Sequence, residues 1–294
     1  MATRVDIGGA SDKCAREKQE DCFMAYYVIE EVPSSNAEFE VDDNRYVYMG
    51  VLCDGMGGME NGAWCARQAV QKYAEAFAET GSFQTEWKMR MHMSLYTANA
   101  GVAYFKERTH KVEKDSGCTL VSTVLCGDTL HYISVGDSYI WLFRKNDEGR
   151  YDRLLLNNRH SEWVKMYNDA EGQPRVDRLT EEEARKEQAE KQPGVRVRTV
   201  IPQSCALVGR ELGYLDESPA GGLRLKDGDI VVLASDGVRQ ALDDTELNNV
   251  IYNYASPQIT ADQQARQIID KVRFMGVPKQ DNASCIVFKV SITD

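Results

Sequence analysis

The amino-acid sequence predicts an α+β layered sandwich. Apolar, β-rich runs bounded by Gly, Asp and Asn recur in both halves of the chain. Pairs of segments with helical periodicity accompany them, and the strand–helix–strand alternation of a parallel sheet is missing. With 294 residues, 43% of them hydrophobic, the chain can bury a large core, and residues 1–294 are read as one domain.

The run "YVYMGVLC" at 46–53 reads as a buried strand that enters "DGMGG", where Asp54 is followed by Gly55, Gly57 and Gly58. A turn needs one glycine, so this cluster implies a backbone that something approaches closely. The helical spacing of Ala63, Ala66, Ala69, Val70, Tyr73 and Phe77 predicts a helix with Gly81 as its stop. A second helix is predicted over 85–111, with Trp87, Met91, Leu95, Ala98, Val102 and Phe105 on one face. Residues 118–156 carry four strand-like runs broken at Gly127-Asp128, Gly136-Asp137 and 146–149, a meander signature that predicts one antiparallel sheet. Over 157–219 the periodicity fades into polar loops around a short exposed helix at 180–191, which reads as a flap-like insertion over the core. "DIVVLASDGV", helices near 243–255 and 260–275, and a closing strand in "DNASCIVFKVSI" complete the reading.

A net charge of −11 argues against nucleic acid or an anionic membrane as the main partner, since both need clustered Lys and Arg. The start of the sequence has no apolar leader-like region, and the longest aliphatic run, at 230–234, is too short to span a bilayer; a cytoplasmic protein is expected. Eight cysteines are spread without any C-x-x-C, and several sit among strand-like apolar residues, so buried free thiols are expected.

Aspartates stand where apolar strands meet turns: Asp54 after "MGVLC", Asp137 after "YISV", Asp236 after "IVVLAS" and Asp281 before "NASCIVF". Each alone is an ordinary turn residue. Converging at one sheet edge, they would repel one another and raise each other's pKa unless a cation neutralised them. Oxygen donors without a His or Cys cluster select hard ions such as Mg²⁺ or Mn²⁺. Near the N-terminus Arg16 precedes Glu20 and Asp21; its planar fork suits phosphate oxygens, and either acid offers a further ligand.

Taken together, these residues resemble the metal-dependent serine/threonine protein phosphatases of type 2C, and bacterial members in particular. The resemblance rests on Arg16-x-x-x-Glu20-Asp21, Asp54-Gly55-Met56-Gly57-Gly58, Gly117-Cys118-Thr119, Val135-Gly136-Asp137-Ser138, Ser235-Asp236-Gly237 and Asp281-Asn282-Ala283-Ser284, in the family's order across nearly the whole chain. It implies a four-layer α/β/β/α sandwich of two antiparallel sheets flanked by helix pairs, with 157–219 as the flap. It implies that Asp54 bridges two metals, that the Gly55 carbonyl, Asp236 and Asp281 complete the first site, and that Glu20 serves the second. Asp137 with Asp236 would form a weaker third site, and Arg16 would hold the substrate phosphate. The implied reaction is hydrolysis of phosphoserine and phosphothreonine by in-line attack of a metal-bridging water, with phosphoproteins, a cognate kinase among them, as partners.

Met56 stands where many members have a proton-donating His, Tyr139 where an Arg often follows Gly-Asp-Ser, and Gln19 where Asn is frequent. His92, His110 and His131 read as structural, and His160 alone is worth testing as a proton donor. A dinucleotide site fails because Gly55, Gly57 and Gly62 do not make G-x-G-x-x-G. The remaining alternative is a phosphatase-like module that binds phosphoproteins or regulates a kinase without turnover. The presence of Asp54, Asp236 and Asp281 weighs against it.

Overall fold

The computed structural model describes residues 2–29, 46–56, 60–79, 87–109, 116–169, 171–190, 192–201, 206–209 and 211–293. Gly57, Gly58, Gly81, His110 and the ends of the second predicted helix, Thr85 and Lys111, lie outside them. In chain order the first elements are strands β1 (Ala2–Asp12), β2 (Cys22–Ile29), β3 (Tyr46–Cys53) and β4 (Gly55–Met56), then helices α1 (Glu60–Glu79) and α2 (Trp87–Arg108). Strands β5 (Gly117–Cys118), β6 (Leu120–Cys126), β7 (Thr129–Val135), β8 (Tyr139–Lys145) and β9 (Tyr151–Leu155) follow. The middle holds β10 (Glu162–Asn168), β11 (Pro174–Leu179), α3 (Glu181–Glu190), β12 (Arg196–Val200), β13 (Asp216–Glu217) and β14 (Leu223–Arg224). The chain closes with β15 (Ile230–Ala234), α4 (Asp236–Ala241), α5 (Asp244–Asn253), α6 (Ala261–Met275) and β16 (Ala283–Thr293).

Two antiparallel sheets form the centre. One has the order β1-β16-β15-β8-β9; the other has the order β13-β7-β6-β3-β2, with β14 also on β7. Their facing sides meet in an apolar layer that includes Leu52, Val121, Leu142, Leu233, Ile286 and Phe288. On the outside, α1 and α2 cover the second sheet through Ala66, Val70, Tyr73, Phe77, Leu95 and Val102. α5 and α6 cover the first through Leu247, Ile251, Ile268 and Val272. The four-layer α/β/β/α sandwich is therefore the observed architecture. Each outer helix exists because its apolar stripe has a sheet to cover. α6 is also bounded chemically: Thr260 and Gln263 form a capping box at its start, and Gly276, with φ of 60°, ends it in the left-handed conformation.

Two local readings need correction, and one strand goes unread. The four runs in 118–156 do not make one meander: β6 and β7 pair in one sheet, β8 and β9 in the other, and the chain crosses between the sheets at Gly136 to Ser138. β6, β7 and β8 are buried along nearly their whole length, so periodicity carries no mark of the crossing between β7 and β8. Within 157–219 the polar loops include a three-stranded antiparallel sheet, β11-β10-β12, with α3 beside it. Its strands are short and mostly exposed, which erases the alternation that reveals a strand. β1, an edge strand on β16, carries only Val5 and Ile7 as large apolar residues around Gly8 and Gly9, too thin a pattern to read.

Candidate metal centre

The acidic side chains lie at strand ends where the two sheets meet. Asp54 follows β3 of the second sheet, Asp236 follows β15 in the first at the start of α4, Asp281 precedes β16, and Asp137 occupies the crossing turn. Asp21 precedes β2, whose Cys22 pairs with Cys53 on β3, so Asp21 and Asp54 share one edge.

Glycine permits this convergence. A Cβ at Gly55 would overlap the Gly62 backbone of α1 and press on the Glu20 carbonyl; one at Gly62 would press back on Gly55. The close approach inferred from the glycine cluster is made, at Gly55, by the chain itself. A Cβ at Gly237 would overlap the carbonyl of Asn282, so glycine there lets the 281–282 backbone lie against α4. Gly136, with φ of +103°, packs on Thr119 and takes a conformation that other residues rarely adopt.

Uncharged side chains hold the acids in place. Thr119 Oγ1 accepts from the Asp54 N–H at 2.9 Å and shares a hydrogen bond with Ser138 Oγ at 2.8 Å, which ties β3 to the Asp137 turn. Ser235 Oγ donates to Asp21 Oδ2 at 2.8 Å and accepts from the Ser284 N–H at 3.0 Å. Asn282 Oδ1 accepts from Glu20 N–H at 2.8 Å, and its Nδ2 donates to the carbonyls of Lys13 and Lys18, fixing the loop that carries Arg16 and Glu20. The Arg16 guanidinium donates to Asp281 Oδ2 at 2.6 Å. Arg16 thus stands beside the acids with Asp281 as its partner.

The electrostatics are those of crowded carboxylates. Burial pushes Asp21 up to about 6, and burial followed by Asp137 and Asp281 pushes Asp236 up to about 7. Asp54 is raised well above the usual carboxylate range by burial and then by Asp21, Asp236, Asp137 and Asp281. Burial raises Asp137 against the pull of Arg159, and raises Glu20 against the pull of Arg16. One oxygen each of Asp21 and Asp236 is buried without a hydrogen-bond partner. Among the described residues, no three His, Cys, Asp or Glu side chains already stand together at metal-ligating spacing. The donor chemistry and the two orphaned oxygens nevertheless fit hard divalent ions, which relieve this kind of repulsion.

Asn157 and Arg159 escaped the sequence reading, and His160, singled out there as a proton donor to test, takes a positioning role beside them. Asn157 accepts from the Ile140 N–H and donates to Ser134 Oγ and the Ser138 carbonyl. Arg159 Nε donates to the Asp137 carbonyl at 3.1 Å, and its guanidinium lies 4.5 Å from the Tyr139 ring centre. His160 Nδ1 accepts from the Gly136 N–H at 3.1 Å, which leaves the proton on Nε2, while the His160 N–H donates to the Gly136 carbonyl. Residues 157–160 therefore clasp the crossing turn, although 157 reads from the sequence as the start of the flap. Their only signal is a polar run, "NNRH", directly after an apolar strand. His131 is buried, and His92 bonds Glu217 at 2.6 Å; both have structural surroundings. Every described cysteine is a free thiol, and Cys53, Cys65, Cys118 and Cys285 are buried.

A carboxylate-rich oxygen-donor centre at the junction of two stacked antiparallel sheets defines the class of protein. A family profile described as Protein phosphatase 2C matches residues 36–270, most of the chain, and the chain belongs to that family. That match spans Asp54, Asp137 and Asp236; the fold brings Arg16, Glu20, Asp21 and Asp281 to them from outside it. No curated protein matches the sequence. Among solved structures, the catalytic domain of the serine/threonine protein phosphatase PstP in complex with two manganese ions has a TM-score of 0.64 at 17% identity, covering 99% of this chain and 100% of that one. The Mycobacterium tuberculosis serine/threonine phosphatase PstP/Ppp gives 0.63 at 20% identity, with 98% and 99% covered. PppA, described as a key regulatory component of T6SS in Pseudomonas aeruginosa, gives 0.62 at 18%, with 99% and 98% covered. At these identities the likeness is one of fold.

Proposed function

We propose that the chain is a divalent-metal-dependent phosphatase acting on phosphoserine and phosphothreonine in proteins. The observation that carries this reading is the junction of Asp21, Asp54, Asp137 and Asp236, with coupled charges and two orphaned buried oxygens, in a member of the phosphatase 2C family. Asp54, the Gly55 carbonyl, Asp236 and Asp281 would hold one Mg²⁺ or Mn²⁺, and Glu20, with Asp54 and the neighbouring Asp21, a second. Asp137 and Asp236 are the donors for a weaker third ion. Bound ions of this kind supply activated water and charge neutralisation for phosphate-ester hydrolysis.

The protein's own groups do the rest. Arg16 lies on the exposed rim, so a phosphate can share its fork in competition with Asp281. Ser235 holds the Asp21 carboxylate, while Thr119 and Asn282 fix the backbones of Asp54 and Glu20. Met56 cannot give a proton to the leaving alkoxide, and His160, with Nδ1 accepting from Gly136, carries its ring proton on a buried Nε2 closed off from solvent; solvent water is the remaining donor. We place the protein in the cytoplasm with phosphoproteins and a cognate kinase as partners. Among the described residues, no helix is long and apolar enough to cross a membrane.

The test is phosphate release from phosphoserine, phosphothreonine and phosphotyrosine peptides after metal stripping and again with Mn²⁺ or Mg²⁺, with Asp236→Asn as control. Turnover that needs metal and disappears in the variant supports the reading. Metal binding without release from any peptide overturns it and leaves a phosphatase-like binding module.

A further inference from the structure

The outer face of α2 carries no charge from Met89 to Tyr104. Its exposed positions over that span are Met89, Met93, Tyr96, Thr97, Ala100 and Tyr104, in a chain of which 28% is charged. The inner face is apolar too, with Met91, Leu95, Ala98 and Val102 in the core. A surface helix with one covered face normally turns charge outward; one that is apolar all round is covered on both sides. Met89, Met93, Tyr96 and Tyr104 are 56%, 51%, 53% and 58% exposed, and Trp64 of α1, stacked on Phe105, extends the patch at 43%.

We propose that this face is the interface of a homodimer in which α2 packs antiparallel on α2 of a second copy. The stripe is self-complementary under a two-fold axis passing between Tyr96 and Thr97. Such an axis sets Tyr96 against Thr97 of the second copy, Met93 against Ala100 and Met89 against Tyr104. Each bulky side chain thereby meets a small one or, at the ends, a thioether meets an aromatic ring. Antiparallel packing also opposes the helix dipoles. With side chains of this size half exposed, roughly 500 Å² per copy would be covered, about 1,000 Å² for the pair, which reaches the lower bound for a specific interface. The stripe itself is made of uncharged residues, and Lys72, whose stem lies against Gly101, is paired with Glu75. Flanking charges are already engaged, Lys88 with Glu217 and Arg108 over the Tyr104 ring.

The experiment is light scattering coupled to size exclusion on the whole chain, from about 1 to about 100 µM, where a modest interface shows its dissociation constant. A concentration-dependent dimer is expected, with Met93→Glu raising that constant by about tenfold or more because it buries an unpaired charge against Ala100 of the second copy. Met93→Glu should keep the melting temperature and the hydrolysis of a small aryl phosphate, since Met93 faces away from the core. Should that variant fail to fold, Tyr104→Glu tests the same face. Thr97→Cys, beside the axis, should form a disulfide-linked dimer under mild oxidation that the parent chain does not. A wild-type chain monomeric throughout the range, or a dimer indifferent to both charge variants, overturns the proposal.

Discussion

Thr119→Val is the perturbation that best separates architecture from chemistry. Valine keeps the shape of threonine and removes one hydroxyl, the group that accepts from the Asp54 N–H and bonds Ser138. Thr119 and Ser138 are fully buried, so the Ser138 hydroxyl loses this partner inside protein, while Asp54 keeps partial access to water. An unsatisfied buried polar group costs about 1–3 kcal/mol, so the two together predict a loss of about 2–4 kcal/mol, weighted down for the exposed side of Asp54. Thr119→Ser retains the hydroxyl and deletes only the methyl under Gly136, which predicts about 1 kcal/mol. Urea denaturation in the presence of a chelator reads these differences without a metal contribution. Phosphate release by the metal-loaded variants should fall by about tenfold or more for Val, since misplacing a reacting group by a fraction of an ångström is expensive, and far less for Ser. A Val variant within about 0.5 kcal/mol of wild type, the range of inert surface substitutions, would refute the account of Thr119 as the tie between β3 and the crossing turn.

Ser235→Ala strips a donor from Asp21 and an acceptor from the Ser284 N–H, so a loss of about 2–4 kcal/mol is expected in the same denaturation assay. Gly237→Ala forces a methyl into the Asn282 carbonyl; calorimetry should show a melting temperature lowered by an amount equivalent to about 3 kcal/mol or more, and an unchanged melt would mean the 281–282 segment yields freely. Asp21, Asp54 and Asp236 have folded-state pKa values raised above 3.8, so the native state binds more protons than the unfolded chain from about pH 4 to about pH 7. Their contribution to stability is full below that window and is lost as the pH rises through it. Divalent ions displace those protons, so the Mn²⁺-induced rise in melting temperature should be larger at pH 8 than at pH 5; an equal rise would place the ion elsewhere. With every described cysteine reduced, dithiothreitol should leave the melting temperature where it is.

The elements legible in the sequence are those whose burial is one-sided or complete over many residues. α1 shows its stripe because Ala63, Ala66, Ala69, Val70, Tyr73 and Phe77 all enter the core. β3 and β15 read as strands because nearly every residue in them is buried. What stayed hidden depends on partners distant in sequence. The crossing from one sheet to the other at Gly136 is a choice of neighbour, made by Thr119, Asn157 and His160, and no local pattern encodes it. The β11-β10-β12 sheet buries little beyond Val164, and α3 beside it only Ala184, so its strands lack the alternation that a core imposes.

The site was legible for a different reason: acids at the ends of buried strands are conspicuous against an apolar background, whereas their supports are common residues. Ser235 and Asn282 stand in the motifs that carry the resemblance but with no role assigned, yet each is buried and bonded to a segment more than 40 positions away. The glycines carry a double meaning that sequence cannot separate. Gly55 looks like room for an ion, while the fold shows room taken by Gly62 and Glu20. These readings are compatible, because the backbone contact at Gly55 is what brings Glu20 and the start of α1 up to Asp54. Gathering carboxylates in this way opposes folding at neutral pH, and the surrounding hydrogen bonds and three apolar layers must offset that repulsion until an ion does. Asp54→Asn should therefore stabilise the metal-free protein at pH 8, by removing a charge the fold resists, while abolishing phosphate release. An Asn variant less stable than wild type under chelation would show that Asp54 is held by attraction, and that the carboxylate cluster is a structural feature of the sandwich.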